Sequence, residues 1–345
     1  MKDTDGRTAF EPSAYGLGAE RVPAHSRTGL ILHVQRLSTE DGPGIRSTVF
    51  FKQCPLACTW CHNPESISPR PEVQWFAARC IGCRSCQDAC PKQCISWIGD
   101  GLQIDRSRCD GCGSCAAACP STALETLGRR VSVEELVQEL GKDRAYYEAS
   151  DGGVTLSGGE PMAQPAFTAD LLRCLKKLGI PAALDTCGFA SMDSFARILP
   201  DIDLILYDLK TIDAGIHDVF TGHTNEIILR NLLEIQNMRH ARSDRPRIWV
   251  RTPLIPGTTA TEANLRAIGS WLAHSMDGTL ERWELCAFNN MCRDKYQRLG
   301  MTWDFAETPL MSRGELDTLA GHARSSGIDP ARVVVTGAAR TENLE

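Results

Sequence analysis

Twelve of the sixteen cysteines in this chain of 345 residues fall between Cys54 and Cys119, and that crowding constrains the fold more than any other feature. Closely spaced thiols serve either disulfides or metals. Disulfides need an oxidising compartment. The N-terminus carries no apolar stretch of the kind that opens a secretory signal. The crowding therefore predicts metal centres in a reducing cytoplasm, concentrated in one part of the chain.

Cys54, Cys58 and Cys61 follow a C-x3-C-x2-C spacing. Three thiolates can hold three irons of a [4Fe–4S] cluster, which normally takes four cysteines. One iron is then left open, and an open metal position is where a substrate can coordinate. A zinc knuckle is the other use of such a triplet. Further on, Cys80, Cys83, Cys86 and Cys90-Pro91 repeat as Cys109, Cys112, Cys115 and Cys119-Pro120, an offset of 29 residues. Each run reads C-x2-C-x2-C-x3-C-P and resembles the bacterial ferredoxin pattern, whose fourth cysteine ligates the other cluster. Crossed ligation assigns Cys80, Cys83, Cys86 and Cys119 to one cluster, and Cys109, Cys112, Cys115 and Cys90 to the second. Two zinc sites are the alternative; the terminal Cys-Pro and the duplication favour iron and sulfide. Cys94 belongs to neither set and reads as a spare buried thiol.

The whole chain is 42% hydrophobic and 23% charged, with a net charge of −6. An acidic balance argues against a nucleic-acid partner. No apolar run reaches the roughly 18 residues needed to span a bilayer. Residues 1–27 read as a polar, aperiodic tail. Strand signals cover Gly29–Val34, Ser47–Lys52, Gly153–Leu156, Ile180–Leu184, Leu204–Tyr207, Ile248–Val250, Trp283–Phe288 and Val333–Val335. Helical stripes lie between them, two opened by the capping boxes Ser132/Glu135 and Ser312/Glu315. Six strands from Ser47 to Phe288 alternate with helices, which predicts a parallel α/β fold, as either an open sheet or a barrel. Functional residues of such folds follow the strand ends. Here those positions hold Cys54, Gly159, Asp185, Asp208, Lys210 and Arg251, and they predict one shared site.

Taken together, the motifs resemble a known family. Cys54-x3-Cys58-x2-Cys61 is similar to the radical S-adenosylmethionine (SAM) motif. Asp41 to Arg46, Trp60, Ser157 to Glu160, Asp185 to Gly188 and Asp208-Leu209-Lys210 resemble the glycyl-radical enzyme activating enzymes. The resemblance implies a partial (β/α)6 barrel over residues 28–74 and 122–345, interrupted by a ferredoxin-like insert at 75–121 with two [4Fe–4S] clusters. It implies three clusters in all, with SAM on the open iron of the Cys54/Cys58/Cys61 cluster. One electron passed to the sulfonium would give methionine and a 5′-deoxyadenosyl radical. That radical would take the α-hydrogen of a glycine in a partner glycyl-radical enzyme. A flavodoxin or ferredoxin donor, a monomer and a cytoplasmic setting without a membrane are implied as well.

By the same resemblance, Cys54, Cys58 and Cys61 are catalytic. Trp60, His62, Gly158, Gly159, Glu160, Asp208, Leu209 and Lys210 join Cys61 in contacting SAM, with Asp185 and Arg251 beside SAM or the partner's loop. Many activases carry Pro-Tyr-His near the sixth strand. Asn289 aligns with that His here, and an amide can hydrogen-bond but cannot become cationic. Cys286 and Cys292 nearby read as buried thiols. Two other readings compete: a radical SAM enzyme acting on a small molecule with auxiliary clusters, and a ferredoxin-type electron carrier. The carrier reading leaves the incomplete triplet and the barrel-like remainder unused.

Overall fold

The structure is a computed structural model that describes residues 27–340 except 100, 241–245 and 277. The expected tail, residues 1–27, lies outside the described residues apart from Arg27. The described strands are β1 (Thr28–Ser38), β2 (Arg46–Phe51), β3 (Glu72–Trp75), β4 (Ile95–Ile98), β5 (Gly101–Ile104), β6 (Leu124–Leu127), β7 (Arg129–Ser132), β8 (Gly153–Gly158), β9 (Ala182–Thr186), β10 (Leu204–Asp208), β11 (Arg247–Leu254), β12 (Leu280–Ala287) and β13 (Val333–Thr336).

Nine of these strands make one sheet in the order β13-β12-β11-β10-β9-β8-β2-β1-β7. From β2 to β13 every neighbouring pair is parallel. β1 pairs antiparallel with both β2 and β7. The alternation of strands and helices thus yields the parallel α/β fold, with the open arrangement, edged by β7 and β13. β13, expected at Val333–Val335, is the seventh strand of the parallel run and its outer edge. Parallel strands covered on their faces read as continuous apolar runs, and β8 and β10 are buried along nearly their whole length. The main core packs Ile205 and Tyr207 of β10 against helices such as Pro165–Lys177, through its Phe167, Leu171, Leu172 and Leu175. Leu204 and Leu206 point the other way, into a small cluster with Ala183 and Trp249.

Both expected capping boxes are formed. The helix Arg144–Ser150, like Ala214–Thr221 and Arg293–Leu299, was not picked out in the sequence. Its N-cap Asp143 does not cap it; the carboxylate instead accepts from Arg36 and from Ser47 Oγ at 2.7 Å. Among the described residues no helix is long and apolar enough to cross a membrane.

The cysteine-rich segment is closed off by β3 and β6, which pair antiparallel from Glu72↔Leu127 to Trp75↔Leu124. Between them lie the β4–β5 pair and two one-turn helices, Ser85–Asp88 and Ser114–Ala117. These helices occupy equivalent places in the two repeats, each entered through a left-handed residue, Arg84 (φ 61°) and Gly113 (φ 79°). The buried Lys52 ammonium at the end of β2 ties this segment to the sheet, donating to Glu65 O at 2.6 Å and to Glu72 Oε2 at 2.9 Å.

Candidate active site

β2 is aromatic and β-branched, so it is held in the middle of the sheet, and it releases the chain at Gln53 into the cysteine loop. That loop is pinned from several sides. Gln53 N donates to Ser66 O at 2.7 Å and Cys54 N to Ile67 O at 3.2 Å. Ala57 N and Thr59 N donate to Thr221 O and Phe220 O at 2.9 and 3.0 Å. Beneath it lies an apolar plug of Trp60, Phe288, Tyr296 and Trp303. Two plug residues also hold the loop by polar contacts: Tyr296 Oη donates to Cys61 O at 2.8 Å, and Trp303 Nε1 donates to Thr59 O at 3.0 Å. Lys295 reaches His62 O, Asn63 Oδ1 and the Glu65 carboxylate.

Cys54, Cys58 and Cys61 are each half-buried on this loop. Burial pushes the Cys58 thiol up to about 11 and raises that of Cys61 as well. Thiolates in such a place need positive charge to be stable, and binding iron supplies it while releasing protons. The three residues therefore fit a cluster. Cys187 adds a fourth thiol beside them, close enough to Cys54 to lower its pKa. The sequence reading assigned it no role of its own, although it lies in the Asp185–Gly188 motif just after a strand end.

The end of β8 lies directly on this loop. Gly159 N donates to Phe51 O at 2.9 Å, and Glu160 N to Gln53 O at 2.7 Å. A Cβ at Gly158, where φ is +100°, would sit 2.5 Å from Phe51 N; one at Gly159 would sit 2.4 Å from Gln53 O. Only glycines allow this approach. Glu160 is fully buried. Its carboxylate accepts from Met162 N at 3.0 Å, from Cys187 N at 2.8 Å and from Thr186 Oγ1 at 2.8 Å. It clasps the β8 and β9 loops together, so its oxygens are already engaged by protein donors.

The next strand ends carry a ring of charge. Asp185 accepts from Ser157 Oγ at 2.6 Å and lies 3.5 Å from Arg251. Burial pushes the Asp185 carboxyl up to about 6, against the opposing pull of Arg251. Arg251 also meets Glu284 at 3.3 Å. Lys210 pairs with Asp208 at 2.6 Å. Burial works against its ammonium, yet Asp208 and the neighbouring thiols outweigh it and hold its pKa above the ordinary lysine value. Glu284 was missed in the sequence, although a carboxylate inside the apolar run of β12 is a signal that could have found it. Carboxylates alternating with cations suit a zwitterion such as the methionine end of SAM.

The other expected contacts are placed differently. Trp60 sits in the plug against Phe220. The Leu209 side chain is in the main core, while its backbone N–H donates to Arg251 O at 2.8 Å. His62 lies edge-on to Phe288 and Trp303, with its buried Nε2 unpartnered. Burial and then Lys295 lower its pKa, and its ring meets the Asn289 backbone. Asn289 is half-buried, and its Oδ1 accepts from Met291 N at 3.2 Å. Cys292 is buried with its sulfur 3.9 Å from Cys61 O; Cys286 is half-buried on β12.

The cysteine-rich segment has two small cavities. Cys109, Cys112, Cys115 and Cys90 line the first, together with Cys94. Cys80, Cys83, Cys86 and Cys119 line the second. Each cavity thus joins three cysteines of one repeat to the fourth cysteine of the other, as crossed ligation requires. Among the described residues no three His, Cys, Asp or Glu side chains are grouped to hold one metal ion. A cluster does not ask for that, because it takes one cysteine per iron.

Residues 48–265 match the radical SAM superfamily. A trans-4-hydroxy-L-proline dehydratase activating enzyme of Clostridioides difficile is 39% identical over 291 residues, covering 84% of this chain and 94% of that protein. An isethionate sulfite-lyase activating enzyme of Nitratidesulfovibrio vulgaris is 42% identical over 70% of this chain and 80% of its own. A benzylsuccinate synthase activating enzyme of Thauera aromatica is 38% identical over 79% of this chain and 82% of its own.

Proposed function

This chain belongs to the radical SAM superfamily and, within it, to the activating enzymes of glycyl-radical enzymes, and from that premise we propose how its site works. It is an enzyme that uses a [4Fe–4S] cluster and SAM to abstract hydrogen from a glycine of a partner protein. When bound, the cluster supplies the electron that cleaves SAM into methionine and a 5′-deoxyadenosyl radical. Cys54, Cys58 and Cys61 hold three of its irons. The observation that carries this assignment is their place at the end of β2, on the side of the sheet where Asp185 and Asp208 close their strands, Lys210 follows, and Arg251 lies in register with Asp208.

In this reading Lys210 and Arg251 face the SAM carboxylate, and Asp208 and Asp185 its amine or ribose. Gly158 and Gly159 bring the β8 backbone close to the amine, and Glu160 holds that backbone in place. Leu209 orients its two charged neighbours through its backbone bond to β11. Trp60, His62 and Asn289 line the side of the loop nearest the plug, where apolar walls exclude water and stray hydrogen donors. The neutral His62 donates or accepts one hydrogen bond there without adding charge.

The insert, 75–121 within a partial, open barrel of 28–74 and 122–345, would hold two further [4Fe–4S] clusters, for three in all. Their crossed cavities support this count. When bound there by the two crossed cysteine sets, these clusters would supply an electron path from a flavodoxin or ferredoxin to the SAM site of a monomeric, cytoplasmic enzyme. The relatives' names span a dehydratase, a lyase and a synthase. The proposal accordingly extends to a glycyl-radical partner and to no single reaction.

The test is anaerobic incubation with SAM, reductant and a candidate glycyl-radical enzyme. A partner EPR doublet should collapse when the loop glycine is deuterated at Cα, and the deuterium should appear in 5′-deoxyadenosine. Label arriving from a small molecule, with no radical on the partner, would overturn the assignment.

A further inference from the structure

One of the two insert cavities contains five cysteines where four would suffice. Cys94 lines it beside Cys90, Cys109, Cys112 and Cys115, whereas the sister cavity has only Cys80, Cys83, Cys86 and Cys119. Cys94 is only 6% exposed, and its Sγ lies 3.4 Å from that of Cys90. Its backbone N–H points at the same Cys90 sulfur, at 3.5 Å. The second repeat has the same backbone arrangement without the thiol: Ala123, four residues after Cys119, donates its N–H to Cys119 Sγ at 3.2 Å. The two half-sites share a backbone and differ at this position by one sulfur.

Resting on the reading that the insert holds two [4Fe–4S] clusters, we propose that Cys94 is an alternate ligand for the iron otherwise held by Cys90. The two sulfurs line the same cavity 3.4 Å apart, and a change of χ1 rotamer moves a cysteine sulfur by roughly 3 Å, nearly that separation. In the exchange, the iron–sulfur bond to Cys90 breaks and one to Cys94 forms. The proton of the Cys94 thiol passes to the departing Cys90 sulfur, so charge is conserved and no electron is gained or lost. While Cys90 is the ligand, the Cys94 thiol donates to its sulfur. The second cluster therefore has a reserve ligand, and the first has none.

The test compares full-length Cys90→Ala and Cys119→Ala, reconstituted anaerobically and assayed for iron, sulfide and EPR. Wild type should hold about 12 irons. Cys119→Ala should fall to about 11 and show a three-iron signal when oxidised. Cys90→Ala should keep the full iron content and a four-iron spectrum, and the Cys90→Ala/Cys94→Ala double variant should behave like Cys119→Ala. A three-iron signal, lost iron or an insoluble chain in Cys90→Ala overturns the proposal. So does a Cys119→Ala or a double variant that keeps every iron. Wild type saturating at about eight irons would instead overturn the two-cluster reading itself.

Discussion

Replacing Glu160 with Gln tests whether this residue clasps the protein or receives the SAM amine. One carboxylate oxygen accepts from Met162 N and the other from Cys187 N, while Thr186 Oγ1 lies 2.8 and 2.9 Å from the two. An amide offers one acceptor and one donor. Whichever way the new side chain turned, its NH2 would face one of the two backbone N–H groups. A buried donor left unpaired costs about 1–3 kcal/mol, and Glu160→Ala, orphaning both, about 2–6 kcal/mol. Thr186 can still donate to the amide oxygen, so the loss in Glu160→Gln stays near the lower range. The expected result is a lower thermal midpoint without SAM present, with faster amide hydrogen exchange in peptides containing Met162 and Cys187. SAM binding should weaken only as far as the loops loosen. A variant with the wild-type midpoint and exchange but strongly weakened SAM binding would refute the clasp and restore Glu160 as a direct amine acceptor.

Asp185 makes stability depend on pH. Its folded pKa, about 6, stands above the usual 3.8, so the native state holds the extra proton between these values. Stability should then fall as pH rises from about 4 to about 6 and level off above, a change of up to about 3 kcal/mol. Asp185→Asn should flatten that slope in unfolding midpoints; an unchanged slope would assign it to another group. Gly188→Ala should cost at least about 2 kcal/mol, because φ there is +74° and the new Cβ would lie 2.0 Å from Tyr207 Oη, whose hydroxyl donates to Ile228 O. Thermal unfolding checks it, and a loss under about half a kcal/mol would contradict the packing. Replacing Cys54, Cys58 and Cys61 together with Ala should lower iron from about 12 to about 8 per chain and abolish reductive SAM cleavage. Cleavage that survived would move the SAM site elsewhere.

The candidate ligand sets were legible in the sequence because each is local. Cys54 to Cys61 spans one loop and each ferredoxin-like run one short segment, so spacing alone encodes them. The crossing of the fourth cysteines rested on the resemblance to ferredoxins, and the two cavities bring together the same residues. Alternating strands and helices were legible from apolar periodicity, as were both capping boxes, since a box lies within four residues. The residues at the strand ends were legible as a group because parallel strands place those ends on one side.

Which groups meet there was decided only by the tertiary structure. The sheet order puts β2 beside β8, so Gly158 and Gly159 must be glycines for contact with Phe51 and Gln53 as well as for any ligand. Glu160 looks free in its motif, and only the approach of β9 supplies the Thr186 and Cys187 donors that occupy it. Glu284 became visible as the second partner of Arg251 once β11 and β12 were adjacent. The plug under the cysteine loop comes from residues more than two hundred positions away, Tyr296 and Trp303, for which no local pattern exists. Cys94 had the composition of a spare thiol until folding set it 3.4 Å from Cys90. Spacing within a loop follows from covalent geometry, whereas burial and pairing depend on which distant surfaces close over each side chain.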